Sequence, residues 1–143
     1  MNLKLYKQVT TRIPNQAMQR LFSDVVRHEA SPRWRAQVNL VFTTDRRIQE
    51  LNHKYRGKNK STDVLSFNLD GPERPDAVFG EVYISVPTAA RQAKTLRHSL
   101  GREYLRLACH GLMHLFGYDH QEDREAERME ARERQYLAKR VGK

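Results

Sequence analysis

Cysteine is almost missing from this chain. Cys109 is the single one in 143 residues, so no disulfide can form within the chain. Such usage fits a reducing compartment and gives no sign of secretion. Long apolar runs are missing too. No window approaches the ~18 consecutive apolar residues of a membrane helix, and residues 1–6 hold no apolar stretch of signal-peptide length. A soluble, cytoplasmic protein with no membrane partner is therefore expected. Internal repeats and low-complexity linkers are also lacking. At an ordinary domain length, residues 1–143 read as a single domain. Negative charge is the scarcer sign: 17 acidic residues face 26 lysines and arginines, a net charge of +9. A basic excess favours anionic partners, chiefly nucleic acid or acidic lipid. Solubility alone is the plainer account of it.

What is present alternates between two periods. Leu3, Leu5 and Val9 suggest a first strand. Pro14 suits the first turn of a helix with Ala17, Leu21, Phe22, Val25 and Val26 on one stripe, broken at Ser31-Pro32. Val38, Leu40 and Phe42 mark a second strand. Thr44 is a helix N-cap candidate ahead of Ile48, Leu51 and Tyr55. A basic loop over 56–63 leads to a short strand at 64–67. A loop holding Gly71, Pro72 and Pro75 leads to another strand at 79–86. Pro87 opens a helix with Ala89, Ala90, Ala93 and Leu96. The most apolar helix runs from about 100 to 116 and closes at Gly117. A densely charged helix follows at about 122–140, its Ala126, Met129, Tyr136 and Leu137 forming a narrow apolar stripe. About four strands and five helices in this order predict one α+β domain with a mixed sheet and a central helix.

Three of the six histidines fall within eleven residues. His110 and His114 are four apart, which puts both imidazoles on one helix face, one turn apart. Gly117 lets the chain turn back, so that His120 can approach the same point. Three neutral imidazoles leave a fourth tetrahedral position for water, the arrangement of a catalytic zinc. One Zn2+ per chain is expected. The spacing also fits the zinc-peptidase pattern H-E-x-x-H-x-x-G-x-x-H. Those enzymes place a glutamate base directly after the first histidine, and here Gly111 stands there. Peptide hydrolysis by that route is disfavoured, and a different electrophile is implied.

The run His110-Gly-Leu-Met-His-Leu-Phe-Gly-Tyr-Asp-His120 closely resembles the signature of the YbeY family, bacterial endoribonucleases of ribosomal RNA maturation. Residues 52–58, Thr62 to Phe67, Gly80 to Ser85, and His98-Ser99 match in family order. The resemblance covers about residues 50–137. It implies a mixed four-stranded sheet with a layout related to zinc peptidases. It also implies zinc-dependent cleavage of single-stranded RNA, 16S rRNA 3′ end maturation, ribosome quality control, and partners in the small ribosomal subunit and its assembly factors. His110, His114 and His120 map onto the metal ligands, and Arg56 onto the arginine near the metal. Asn59, Ser61 and Glu81 depart from frequent family residues, and none of these departures touches a ligand.

The residues suit that chemistry. Arg56 can clamp a non-bridging phosphoryl oxygen through its planar fork. Lys58 and Lys60 can draw in the RNA backbone. Residues 44–60 carry six basic residues against two acidic ones. Asp119 and Glu81 are candidates to orient a ligand imidazole. Tyr55, Phe67 and Tyr118 are stacking candidates, and His98 is a candidate for the cleft wall. Cys109 points about 100° away from His110 around the helix and reads as core. Two other functions stay in view. One is a zinc-dependent peptidase-like hydrolase. The other is a non-catalytic ribosome-binding module with a structural zinc, which would unfold on chelation rather than merely lose activity.

Overall fold

The computed structural model describes residues 1–118 and 122–138. Among these residues the chain forms β1 (Asn2–Lys7), α1 (Asn15–Glu29), β2 (Gln37–Thr43), α2 (Asp45–Arg56), β3 (Val64–Asn68), β4 (Val78–Ser85), α3 (Val86–Leu96), α4 (Leu100–Leu115) and α5 (Asp123–Ala138). The sheet order is β1-β2-β4-β3. β1 pairs parallel to β2 and β2 to β4, with Leu3 opposite Val38 and Leu40 opposite Val82. Only β3 runs antiparallel, on the far side of β4. This is the mixed four-stranded α+β arrangement that the alternating periods predict.

Period-two alternation divides the sheet between two cores. Leu3, Val38, Leu40, Phe42, Val82 and Ile84 face the main core, which they share with Leu21 and Val25 of α1, Ala89 of α3, Leu107 and Leu112 of α4, and Met129 and Tyr136 of α5. On the other face, Leu65, Phe67 and Tyr83 pack with Ile48 and Leu51 of α2. Helix α4 buries most of its surface, and the polar side chains left outside the core, Arg102, Arg106, His110 and His114, recur at four-residue spacing along one stripe. Its Tyr104 ring meets Phe42 edge-on with centroids 4.8 Å apart, and Cys109 is fully buried in the same cluster.

Local signals set the helix ends. Thr44 accepts a hydrogen bond from the Arg47 amide at 3.1 Å and Ser99 does the same for Arg102, the capping that satisfies first-turn amides. Pro14 lies one residue earlier than expected, at the cap of α1 rather than within its first turn. Gly57, which the sequence reading placed simply in the loop, ends α2 in the left-handed conformation at φ 67°. Arg97 does the same for α3 at φ 56°, a conformation that costs a residue with a Cβ.

Gly111 sets how closely α4 lies on the sheet. A Cβ there would stand 2.5 Å from Val82 Cγ1, 3.1 Å from Ser66 Oγ and 3.3 Å from Val64 Cγ2. Any side chain after His110 would therefore have to push its neighbours on the sheet aside. A glutamate in that place, where zinc peptidases carry their base, would have to displace the Val82 and Ser66 side chains.

Candidate active site

The last two turns of α4 carry His110 and His114. Their Nε2 atoms lie 3.2 Å apart and their ring centroids 4.7 Å apart. Each ring is fixed from behind. His114 Nδ1–H donates to the Tyr118 carbonyl at 2.9 Å. His110 Nδ1–H donates to Glu133 Oε1 of α5 at 3.3 Å. A proton on each Nδ1 leaves each Nε2 with a lone pair, and the two lone pairs converge. Such a pair repels unless a cation lies between. The spacing also suits a shared ion, because two nitrogens at ~2.0–2.1 Å from one tetrahedral centre stand about 3.3 Å apart. The residues present therefore fit a metal ion. Among the described residues, no third His, Cys, Asp or Glu completes a metal-binding group with them. His120 and Asp119 lie outside the described residues.

The histidines open onto a cleft of about 750 Å³ that is also lined by Arg56, Lys58 and Lys60. Arg56 is the last residue of α2. Its guanidinium donates to the Ser66 carbonyl and sits 5.0 Å from the Phe67 ring centroid. Ser66 in turn donates through its hydroxyl to the Gly111 carbonyl at 2.9 Å. One residue of β3 thus ties the arginine to the histidine helix. Asn68 adds a second tie, donating to the Leu115 carbonyl at 3.0 Å. The loop carrying both lysines is held by buried Asn52, whose side chain donates to the Lys60 carbonyl at 2.9 Å. The sequence-read cluster of Arg56, Lys58, Lys60, His110 and His114 is therefore brought together in one place.

Two expectations are corrected. Glu81 does not approach the histidines, because it alternates with Gly80 and Val82, which face α4, and so points to the α2 face. There Asn39 Nδ2 donates to it at 3.1 Å and the Tyr83 hydroxyl at 2.8 Å. Burial and this carboxylate push the Tyr83 phenol up to about 12. His98 lies away from the cleft, 2.7 Å from buried Glu103. Tyr118 lines the histidine cleft and also anchors it: its hydroxyl donates to Glu29 at 2.9 Å while its carbonyl accepts from His114.

Sequence reasoning missed Glu133 and Glu29. Glu29, at the end of α1, receives both Tyr118 and, at 2.5 Å, the Tyr136 hydroxyl of α5. A third missed group is the polar chain that runs from the cleft wall to a buried carboxyl. Asp63 on the cleft wall accepts from Gln92 at 3.2 Å, Gln92 accepts from Arg106 at 3.3 Å, and Arg106 is held at 2.5 Å by fully buried Glu103. Glu103 keeps the Arg106 guanidinium protonated even more firmly than usual.

The sequence pattern of the family described as Endoribonuclease YbeY matches residues 4–141. The chain belongs to the YbeY family. It is 48% identical over 112 residues to Endoribonuclease YbeY of Moorella thermoacetica, covering 72% of each protein. It is 34% identical to the protein of the same name from Limosilactobacillus reuteri, over 96% of both. The solution structure of TM1509 from Thermotoga maritima is similar in fold, with a TM-score of 0.63 at 25% identity over 94% of this chain and 86% of that one. Among the described residues, no helix is long and apolar enough to cross a membrane.

Proposed function

We propose that this YbeY-family chain is a metal-dependent endoribonuclease that cuts single-stranded ribosomal RNA in the cytoplasm, maturing the 16S rRNA 3′ end on the small ribosomal subunit and serving ribosome quality control. Family membership carries the activity class, an endoribonuclease and hence a hydrolase of phosphodiester bonds. The observation that carries the site is the convergence of the His110 and His114 Nε2 atoms at 3.2 Å in a cleft with Arg56.

His110, His114 and His120 would hold one ion, with zinc the metal best suited to three imidazoles. The chemistry such an ion supplies is Lewis-acid polarisation of a phosphoryl oxygen and a lowered pKa for water. The protein's own residues do the rest. The Tyr118 carbonyl and Glu133 hold each imidazole with its Nε2 lone pair facing the cleft. Arg56 offers a planar fork to a non-bridging phosphoryl oxygen, and its bond to Ser66 sets where the fork stands. Lys58 and Lys60 line the approach and neutralise backbone phosphates. Exposed Tyr55, edge-on to Phe67 at 5.6 Å, offers a ring beside that approach. Either water or the RNA 2′-hydroxyl can serve as nucleophile in this arrangement.

Cleavage of a single-stranded RNA from the 16S 3′ region, followed for wild type, chelated protein and Arg56→Ala, tests the reading. Chelation should abolish cleavage while the far-ultraviolet circular dichroism stays native, and Arg56→Ala should keep its metal but lose most activity. Unfolding on chelation would favour a structural metal in a binding module. Cleavage unaffected by Arg56→Ala would remove that residue from the site. The peptidase reading finds no base at Gly111, where one would have to displace Val82 and Ser66.

A further inference from the structure

A second cleft of about 900 Å³ lies between α1 and the start of α4, lined by Arg20 and Arg27 of α1 and by Arg97, His98, Gly101 and Arg102. It is separate from the histidine cleft. Gly101 and His110 are nine residues apart on one helix, which at 100° per residue sets them on about opposite sides. Arg102 and His114 are twelve residues apart, about 18 Å along the axis. Four arginines meet a single carboxylate here, Asp24, and Arg27 lies 3.6 Å from it. Among the described residues, Arg20, Arg97 and Arg102 form no ion pair, and all three are exposed.

Arg97 adds an independent observation. It closes α3 in the left-handed conformation at φ 56°, the one non-glycine residue among those described with a positive φ. Glycine would sit there without strain. A long cationic side chain kept at a strained position on a groove rim points to a use for the charge.

We propose that this groove is a second contact for the RNA phosphodiester backbone, engaged by substrate that extends beyond the histidine cleft. Guanidinium forks suit phosphate oxygens, and an excess of three positive charges in a concave surface suits a polyanion better than a neutral partner. The inference rests on the RNA reading of the histidine cleft. It adds that long substrates are held at two separate places and short ones at one.

The test compares cleavage by the metal-loaded enzyme of an RNA of about 5 nucleotides with one of about 30, lengths that differ by more than the roughly 4–16 nucleotides covered by a single-strand-binding OB fold. For Arg20→Ala/Arg102→Ala, the KM for the long RNA should rise with kcat retained, and the short RNA should be cleaved as by wild type. The log–log salt slope of kcat/KM on the long RNA should fall by about 1.4, about 0.7 per lost phosphate contact on a single strand. Arg97→Gly should melt at a higher temperature than wild type yet show a raised KM on the long RNA alone, a split that damage to the fold cannot produce. An unchanged salt slope on the long RNA, or an equal rise in KM on both lengths, would overturn the proposal. So would polyglutamate relieving groove-dependent binding as well as RNA of equal charge, since the groove would then serve an acidic protein. Failure of the wild-type enzyme to cut either RNA would instead sink the reading of the histidine cleft itself.

Discussion

A single methyl group at Gly111 measures how tightly the histidine helix is set on the sheet. On an open helix face, Gly→Ala stabilises by up to ~1 kcal/mol. At Gly111 the new Cβ would meet Val82 Cγ1 at 2.5 Å, about 0.9 Å inside ordinary contact at 3.4 Å, with Ser66 Oγ at 3.1 Å. Val82 is fully buried in an inner strand, and its branched side chain has little rotamer freedom. Overpacking of this kind costs about 1–3 kcal/mol. Loss of the Ser66 hydroxyl bond to the Gly111 carbonyl adds about 1 kcal/mol. After the helix gain is subtracted, Gly111→Ala should lose about 1–3 kcal/mol. Unfolding entropy of roughly 2.1 cal/mol/K per residue makes each of these worth about 3 °C in this chain, so Tm should fall by about 3–9 °C. Gly101→Ala is the internal control. Its nearest neighbour would be Pro14 Cγ at 3.7 Å, an ordinary contact, and Tm should rise by about 2–3 °C. Gly111→Ala should also lose RNA cleavage in proportion to any shift of His110 and His114 away from Arg56. Equal stabilisation by the two alanines in thermal melts would refute the close-approach argument.

Three further outcomes follow from the polar contacts. Glu133→Gln should weaken metal binding by about tenfold in a chelator competition with the fold unchanged, because it weakens the anchor on His110 Nδ1; unaltered affinity would remove Glu133 from that role. Arg106→Ala should destabilise by about 3 kcal/mol in urea denaturation, since it removes the guanidinium that holds the fully buried Glu103 carboxyl and leaves His98 as its remaining side-chain partner; a loss below ~1 kcal/mol would contradict the importance of that pairing. Burial alone would raise the Asp45 carboxyl, but hydrogen bonds from Ser85, Thr88 and Arg91, with the Arg91 charge, hold it below its ordinary value. A lowered folded pKa gives stability that is present above the unfolded value of about 3.9 and lost as pH falls through the folded one. Asp45→Asn should therefore lose stability at neutral pH and show a flatter fall in Tm between about pH 5 and 3, and an acid limb as steep as wild type would contradict this.

Much of the fold could be read from residue spacing, because the two periods and the capping residues act locally. The strand alternation of Val38, Leu40 and Phe42, and the Thr44 cap, need no knowledge of tertiary contacts. The paired histidines were legible for the same reason, since four residues is one helical turn. Arg56 was reached by resemblance, and the cleft it shares with His110 and His114 depends on β3 lying between α2 and α4. Glu133 escaped notice because it stands in a helix whose interleaved charges read as a solvated face. Glu29 escaped because its partners are 89 and 107 residues away in sequence. The misplacement of Glu81 was avoidable in principle. Its parity against Val82 puts it on the α2 face, once Val82 is known to face the histidine helix. Only the sheet order, which is non-local, supplies that knowledge.

The most direct test of the account is metal binding and RNA cleavage measured together on one preparation. Purified protein should bind one Zn2+ per chain by elemental analysis, and RNA cleavage should rise in step with metal content. His114→Ala should lose both while retaining native circular dichroism. A full metal complement in His114→Ala, or cleavage that persists in metal-free protein rigorously cleared of contaminating nucleases, would contradict it.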